Sequence, residues 1–547
     1  MFFKLIKSLT KIEKLLFGGA TIVFIISGLI LGIEIIQSNT RIEPAVGGEY
    51  IEGLVGQPAL INPILGTTDV DKSIIRLIFN DLTELAESIT DEENRIWTIR
   101  LKDNIFWHDG ESITSDDIIF TIQLAQNPNT YSPLFTTWQG VIAERISEKE
   151  ARLTIRTPYV FFRDNLKDLL IVPKHIFMNI PTTNIRLSDY IIEAVGSGSY
   201  KFESLQKRRD GFIKKYSLKA NENYFGKKPY IEKIEFKFYV KSDELIKAIN
   251  AGEIDGFGTF EPKLLSSLTR THQLSSLIIP QYYAVFLNQN SSIPLKDKNV
   301  RLALNLAIDR KRIIEEVTKN QAIKINGPLV PVSVGYNTEI NKEEDFSKNK
   351  ANEILDGSGW KMDNENLRSK IINQNAVGLE FNLIIPDSPS LVNAGKIIKE
   401  NLEAIGARVN LDILDTETIN RDIIPTRNYQ MILFGNITGR QPDFFSFWHS
   451  SQRFHPGLNL ALYQNKTADN LIESIRQDTN AQKRKGDINT LQSVIVGDKP
   501  AIFLYSPKYL YVRESKLGGS NESWILSPGE RFDNIENWYV ETNRILK

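Results

Sequence analysis

Hydrophobic positions run unbroken near the start of this chain and then recur with short periods to its far end. Lys4, Lys7, Lys11 and Lys14 precede an uncharged stretch, 15–33, that Glu34 closes. Nineteen residues at 1.5 Å each span about 28 Å, close to a hydrocarbon core of about 30 Å. Basic flanks stay on the cytoplasmic side. The pattern therefore predicts a cytoplasmic basic segment over 1–14, a transmembrane signal anchor over 15–36 and everything beyond it outside the cell membrane. Ile35, Ile36, Gln37, Ser38 and Asn39 offer no small-residue cleavage pattern, so the anchor is expected to stay in place. Residues 37–47 are short and polar, and are expected to act as a tether.

From Glu49 onward short apolar runs alternate with amphipathic ones. Strands are predicted at 50–56, 96–101, 151–156, 234–239, 282–288, 379–385, 408–414, 429–435 and 501–505, where β-branched and aromatic residues cluster. Helices are predicted at 73–79 (opening after Asp71), 118–125, 244–251, 298–308, 310–318, 390–405 and 467–478. Thr114 with Asp117 forms a capping box for the second, Ser242 is expected to cap the third, and Gly252 and Gly406 read as stops. The polar stretches 338–352 and 361–376 read as surface insertions. Strands and helices mixed at this density indicate layered α/β or α+β architecture.

Composition narrows the chemistry. At 547 residues the chain is too long for one core and should be multi-lobed. The balance of 66 basic and 67 acidic residues gives −1, a weak overall field that argues against nucleic-acid binding. With no cysteine there is no disulfide, thiolate metal site or cysteine nucleophile, and no lipid anchor on cysteine. G-x-x-x-x-G-K-[ST], G-x-S-x-G and H-E-x-x-H are all absent, so no enzymatic activity and no cofactor are expected. His449 and His455, with five residues between them and no acidic ligand alongside, do not have metal-helix spacing.

Several blocks then follow one another in a recognisable order: PALINP at 58–63, WTIRLK at 97–102, FWHDG at 106–110, ITSDDI at 113–118, VGSGSY at 195–200, NENYF at 221–225, KPYI at 228–231, AGEID at 251–255 and NVRLA at 299–303. Each has a local reading as well: Asp109–Gly110 makes a tight turn, His108 packs beside aromatics, Asp309 recaps a helix, and Arg301 pairs with Asp309 or Asp297. Together they resemble the extracytoplasmic solute-binding proteins of ATP-driven importers, the family that binds oligopeptides, dipeptides and nickel chelates.

The resemblance implies a two-lobed periplasmic-binding-protein-like α/β fold of class II with an extra α+β subdomain. Lobe I would comprise 48–82, 191–283 and 500–537, the subdomain 83–190, and lobe II 284–499. A hinged cleft would trap a peptide or related small polar solute, and the monomeric receptor would hand it to permease and ATPase subunits. The segment 431–445 is similar to the family's strand and loop whose first acidic residue anchors a ligand ammonium. In this chain Thr438 and Gln441 stand where the two acids are expected. Asp443 is the substitute, or else a helix cap. The remaining candidate ligand contacts are Asn62, Trp138, Tyr282, Tyr283, Asn436 and Trp448, with one of the two tyrosines facing the cleft. The rival readings are an extracellular sensor signalling to a membrane partner, and a surface hydrolase.

Overall fold

A computed structural model describes residues 10–342 and 346–547; Lys4 and Lys7 of the expected basic flank lie outside the described residues. The apolar start forms one helix, Lys11–Asn39, about 44 Å long at 1.5 Å per residue. Glu13 closes a capping box with Thr10, accepting from its backbone N–H at 2.8 Å. The stretch expected to act as a tether takes regular structure. Residues 37–39 finish the helix, and Thr40–Ala45 pairs antiparallel with Glu541–Leu546 along six residues. The Lys547 N–H donates to Asn39 O, tying this ribbon to the helix end. Neither strand has an apolar face, so hydrophobic periodicity gave no sign of it.

A twelve-stranded sheet runs through both lobes. Lobe I contributes Glu49–Val55, Lys233–Tyr239, Ile213–Ala220, Tyr200–Lys207, Gly256–Thr259 and Gln273–Ile278, and Ala322–Lys324 joins from the other lobe. Lobe II contributes Gln281–Leu287, Met431–Ile437, Glu380–Pro386 and Arg408–Leu414. The strand Ala501–Arg513 belongs to both: Tyr505 and Phe503 pair with Tyr283 and Ala284 of lobe II, whereas Leu510 and Val512 pair with Thr259 and Phe257 of lobe I. Residues 281–283, expected in lobe I, pair with 435–437, and 505–507 pair with 322–324. The crossings fall at Pro280, between the strands Gln273–Ile278 and Gln281–Leu287, and at Pro507, inside the continuous strand Ala501–Arg513 where it pairs with Ala322.

Four antiparallel strands, Ala86–Glu92, Ile96–Leu101, Glu150–Thr154 and Ile142–Ser147, build the subdomain around the helix Ser115–Gln126. Its apolar residues Trp97, Ile118 and Leu153 sit in the same core as Tyr50, Ile78 and Phe236 of lobe I. Subdomain and lobe I therefore form one body. Lobe II carries a core on each face of its sheet, one around Leu383 and Leu402, the other around Tyr282 and Trp448.

The glycine turn at 196–198 shows why the subdomain fuses to lobe I. A Cβ on Gly196 would lie 2.1 Å from Ile78 O, and one on Gly198 would lie 2.4 Å from Leu77 O. Only bare backbone fits beside the end of helix Asp69–Ile78. His108 from the subdomain clips this turn: Gly196 N–H donates to Nδ1 at 3.2 Å, and Nε2 lies 3.0 Å from Gly198 O.

Some local expectations shift. Thr68, not Asp71, caps the helix Asp69–Ile78. The Asp71 carboxylate instead accepts from Ala59 and Leu60 N–H, at 2.8 and 3.1 Å, fastening the chain that leaves the first lobe I strand. Ser242 is the first helical residue of Ser242–Ala251 and makes no cap; Lys241 precedes it. Arg301 pairs with neither Asp309 nor Asp297, donating instead to the carbonyls of Leu295, Lys296, Asp498 and Lys499.

Candidate functional site

Between the lobes, where the chain crosses, lies a cavity of about 360 Å³. Such a volume is at the lower end of small-ligand sites. Lobe I supplies Phe260, Glu261, Pro262 and Lys263 from the end of Gly256–Thr259, and lobe II supplies the opposite wall. Open α/β sheets place their sites where strands end and helices begin, and the wall segments 260–263 and 388–393 have that character.

Tyr283 and Tyr505 form the aromatic floor, ring centres 5.5 Å apart on the paired strands. Burial pushes both phenols above their ordinary range, so they are neutral hydrogen-bonding groups. Gln281, Thr318, Gln321 and Asn393 add amides and a hydroxyl. The helix Pro389–Glu403 begins at the cavity, with Ser388 as N-cap and Pro389 in its first turn. Its first internal bond runs from Val392 N–H to Ser388 O. The positive end of a fifteen-residue helix therefore faces the space. With Lys263 and Glu261 on the other wall, the cavity can take a carboxylate, an ammonium and the amides between them.

Of the residues expected at the site, Tyr283 lines this cavity. Strand alternation sends Tyr282 to the other face, where it is fully buried and its hydroxyl accepts from Asn436 Nδ2 at 3.0 Å. Tyr282 and Asn436 therefore partner each other on the far face of the sheet, where Asn436 lines a second cavity of about 250 Å³. Trp448 packs against Phe503 and Tyr463, and Trp138 against Phe162 inside the subdomain; both are almost fully buried. They fill cores, as large apolar rings do when no cavity adjoins them. Asn62 is fully buried in a turn, its Oδ1 accepting from Ile64 N–H at 2.9 Å.

The loop after Met431–Ile437 also departs from expectation. Thr438 donates from both N–H and Oγ1 to Pro280 O, at 2.7 and 2.9 Å, beside the cavity-lining Gln281. Asp443 is already engaged, accepting from Tyr159 Oη at 2.8 Å, lying 3.3 Å from Arg476 and capping Phe445 N–H. Both oxygens of this carboxylate thus already have a protein partner. Phe260, Gln281, Gln321, Asn393 and Tyr505 were missed; the signal that points to them is the Ser-Pro start of helix Pro389–Glu403 and the ends of the crossing strands.

Residues 83–455 match the middle portion of the family of bacterial extracellular solute-binding proteins, family 5. The oligopeptide-binding protein AppA of Bacillus subtilis (strain 168) is 24% identical over 519 residues, covering 91% of this chain and 92% of its own length. A putative peptide-binding protein AppA from Clostridium difficile superposes with a TM-score of 0.77 at 23% identity, over 90% of this chain and all of the other. NikA from Brucella suis, solved with Fe(III)-EDTA, gives 0.77 at 18% identity with the same coverage. The fold matches over both lobes and the subdomain, and the family match spans the subdomain, the central part of lobe I and most of lobe II. The chain belongs to the bacterial extracellular solute-binding proteins, family 5.

Proposed function

We propose that this chain is the receptor of an ABC importer, capturing short peptides, or a related small polar solute, in the interlobe cavity and delivering them to a membrane permease. The observation that carries this reading is the cavity itself: aromatic floor, amide and hydroxyl walls, one carboxylate, one ammonium and a helix N-terminus, divided between two lobes. Peptide-binding relatives support the ligand class. The ligand ammonium is assigned to Glu261, standing in for the acid missing at Thr438, and its carboxylate to Lys263 and the first turn of Pro389–Glu403. Tyr283 and Tyr505 stack against the peptide planes. The ligand is trapped and released with no bond changed, by a monomer.

The helix Lys11–Asn39 is assigned as an uncleaved single-pass anchor holding the body outside the membrane, which keeps the receptor at high effective concentration beside its permease. Lobe I is drawn as 48–82, 191–280 and 508–537, the subdomain as 83–190 and lobe II as 281–507.

The test is native mass spectrometry of ligand co-purifying with the full chain, followed by calorimetry with di- and tripeptides. Glu261→Gln should weaken a free-amine peptide by about fivefold while leaving its N-acetylated form unaffected. Binding of no peptide by the wild type, or equal affinity of both forms, overturns the peptide assignment.

A further inference from the structure

Lobe I and the subdomain share one core, yet one piece of the subdomain leaves it. Phe161, 6% exposed, is buried in lobe II's core among Trp448 and Phe444. On the same arm, Tyr159 Oη donates to Asp443 of lobe II, Val160 N–H donates to Arg476 O at 3.0 Å, and the Arg476 guanidinium sits 4.9 Å over the Tyr159 ring. A second contact runs the opposite way. Arg440, on the lobe II loop, reaches Asp168 of the subdomain at 3.4 Å and Glu530 of lobe I, with 11% of its side chain exposed.

We infer that the arm 159–161 and Arg440 form a two-point clasp that holds the lobes together before a ligand arrives. Every contact joins a group of one body to a group of the other. Parting the lobes must therefore expose the Phe161 ring and separate Arg440 from both carboxylates. Covalent continuity between the bodies is limited to the crossing strands, so these contacts bias the open–closed balance without being needed for either body to fold. A clasp closed in the free protein raises the competent fraction and hence the apparent affinity. The inference rests on the capture reading in supposing that the lobes move at all.

The absence of native cysteine makes the test clean. Lys219→Cys on lobe I and Lys396→Cys on lobe II, both exposed, are spin-labelled in the full chain, and the distance distribution is measured by pulsed dipolar spectroscopy without ligand. Wild type should show one dominant short distance. Arg440→Gln should add a longer population, and Phe161→Ala should raise that population by about tenfold over wild type. Tyr159→Phe, which removes only the hydroxyl contact, should shift it least and guards against a folding defect in the alanine variant. Distributions unchanged in Arg440→Gln and Tyr159→Phe overturn the clasp. Adding a tripeptide mixture to wild type separates the two readings: if the variants open but no peptide mixture alters any distribution, the clasp stands and the peptide assignment falls.

Discussion

At the cavity, Gln281 and Asn393 line the space beside a helix N-terminus; 159–161 and Arg440 meet their opposite lobe through hydrogen bonds and ion pairs already made. Both regions join the same two bodies, and both carry aromatic rings and charges. They differ in unspent hydrogen-bonding capacity. A region that leaves capacity unspent can be completed by a solute, whereas a saturated one can only hold or let go. Residue type does not distinguish them: Asp443 and Glu261 are both cleft-side carboxylates, but Tyr159 and Arg476 already occupy the first.

The heaviest blow to the saturated side comes from beneath it. Arg531 adjoins Glu530 in the turn Pro528–Phe532 and is 1% exposed. It donates to Glu52 at 2.7 and 3.1 Å and to Ser73 Oγ at 3.1 Å, while Glu52, fully buried, also accepts from Tyr50 and Tyr511. Removing one partner leaves a buried charge alone. Arg531→Met should cost roughly 3–5 kcal/mol, measured as a lowered denaturant midpoint. The double variant Arg531→Met with Glu52→Gln should recover part of it. A loss below about 1 kcal/mol would show that lobe I does not need this pair.

Much of this architecture was legible in the sequence because burial imposes a period. Strands such as Ile96–Leu101 and Arg408–Leu414 fall where β-branched residues predicted them. Ala86–Glu92, with three acids, escaped because most of it faces water, and Ile213–Ala220 because its three lysines break the apolar alternation. Ala481–Asp498 also escaped: its 18 residues bury only Ile488, Leu491, Gln492 and Ile495, too few for an apolar stripe. The site was least legible. Family resemblance and aromatic size selected Trp138, Tyr282 and Trp448, but neither says which face of a strand adjoins empty space. That is decided by how two distant segments meet, 260–263 against 388–393.

A pH titration separates the cavity from the glycine turn next. His108 is held neutral by burial, its pKa pushed down to about 4. Its Nδ1 accepts a hydrogen bond that protonation would abolish. The folded value lies below the unfolded value of about 6.5, so the unfolded chain takes up the proton first. Stability is complete above about pH 6.5 and is lost as pH falls toward 4. The loss should reach roughly 3 kcal/mol, read as a falling melting temperature. His108→Gln should flatten that slope. The cavity lining contains no histidine, so affinity at fixed folded fraction should stay level between pH 7 and 6. Affinity that falls in step with stability would mean that the cavity depends on the glycine turn.

The adjacent tyrosines sharpen the comparison within a single strand. Tyr283→Ala should lower peptide affinity about tenfold, equivalent to about 1.4 kcal/mol. Tyr282→Phe should leave affinity alone and cost about 1 kcal/mol of stability, because Asn436 loses its acceptor. Calorimetry and chemical denaturation on both variants form the check. Exchanged effects would place the ligand on the opposite face of lobe II's sheet.

The smallest effect belongs to Thr438, and its sign carries the most information. Both of its donors are spent on Pro280 O. Thr438→Asp removes the hydroxyl donor and sets a carboxylate against that carbonyl, while the backbone bond remains. Two acceptors facing each other repel, so the new side chain should swing to solvent at a cost of about 0.5–1 kcal/mol in stability. Thr438→Val, losing the same bond without adding charge, should cost about the same. Affinity for a free-amine peptide should stay within about twofold in both, which is less than the loss expected for Glu261→Gln. If Thr438→Asp instead tightens free-amine binding, and Glu261→Gln leaves it unchanged, the ammonium pocket lies at this loop. The region counted as spent would then have capacity in reserve, and the contrast between the two interlobe regions would have to be redrawn around the carbonyl of Pro280.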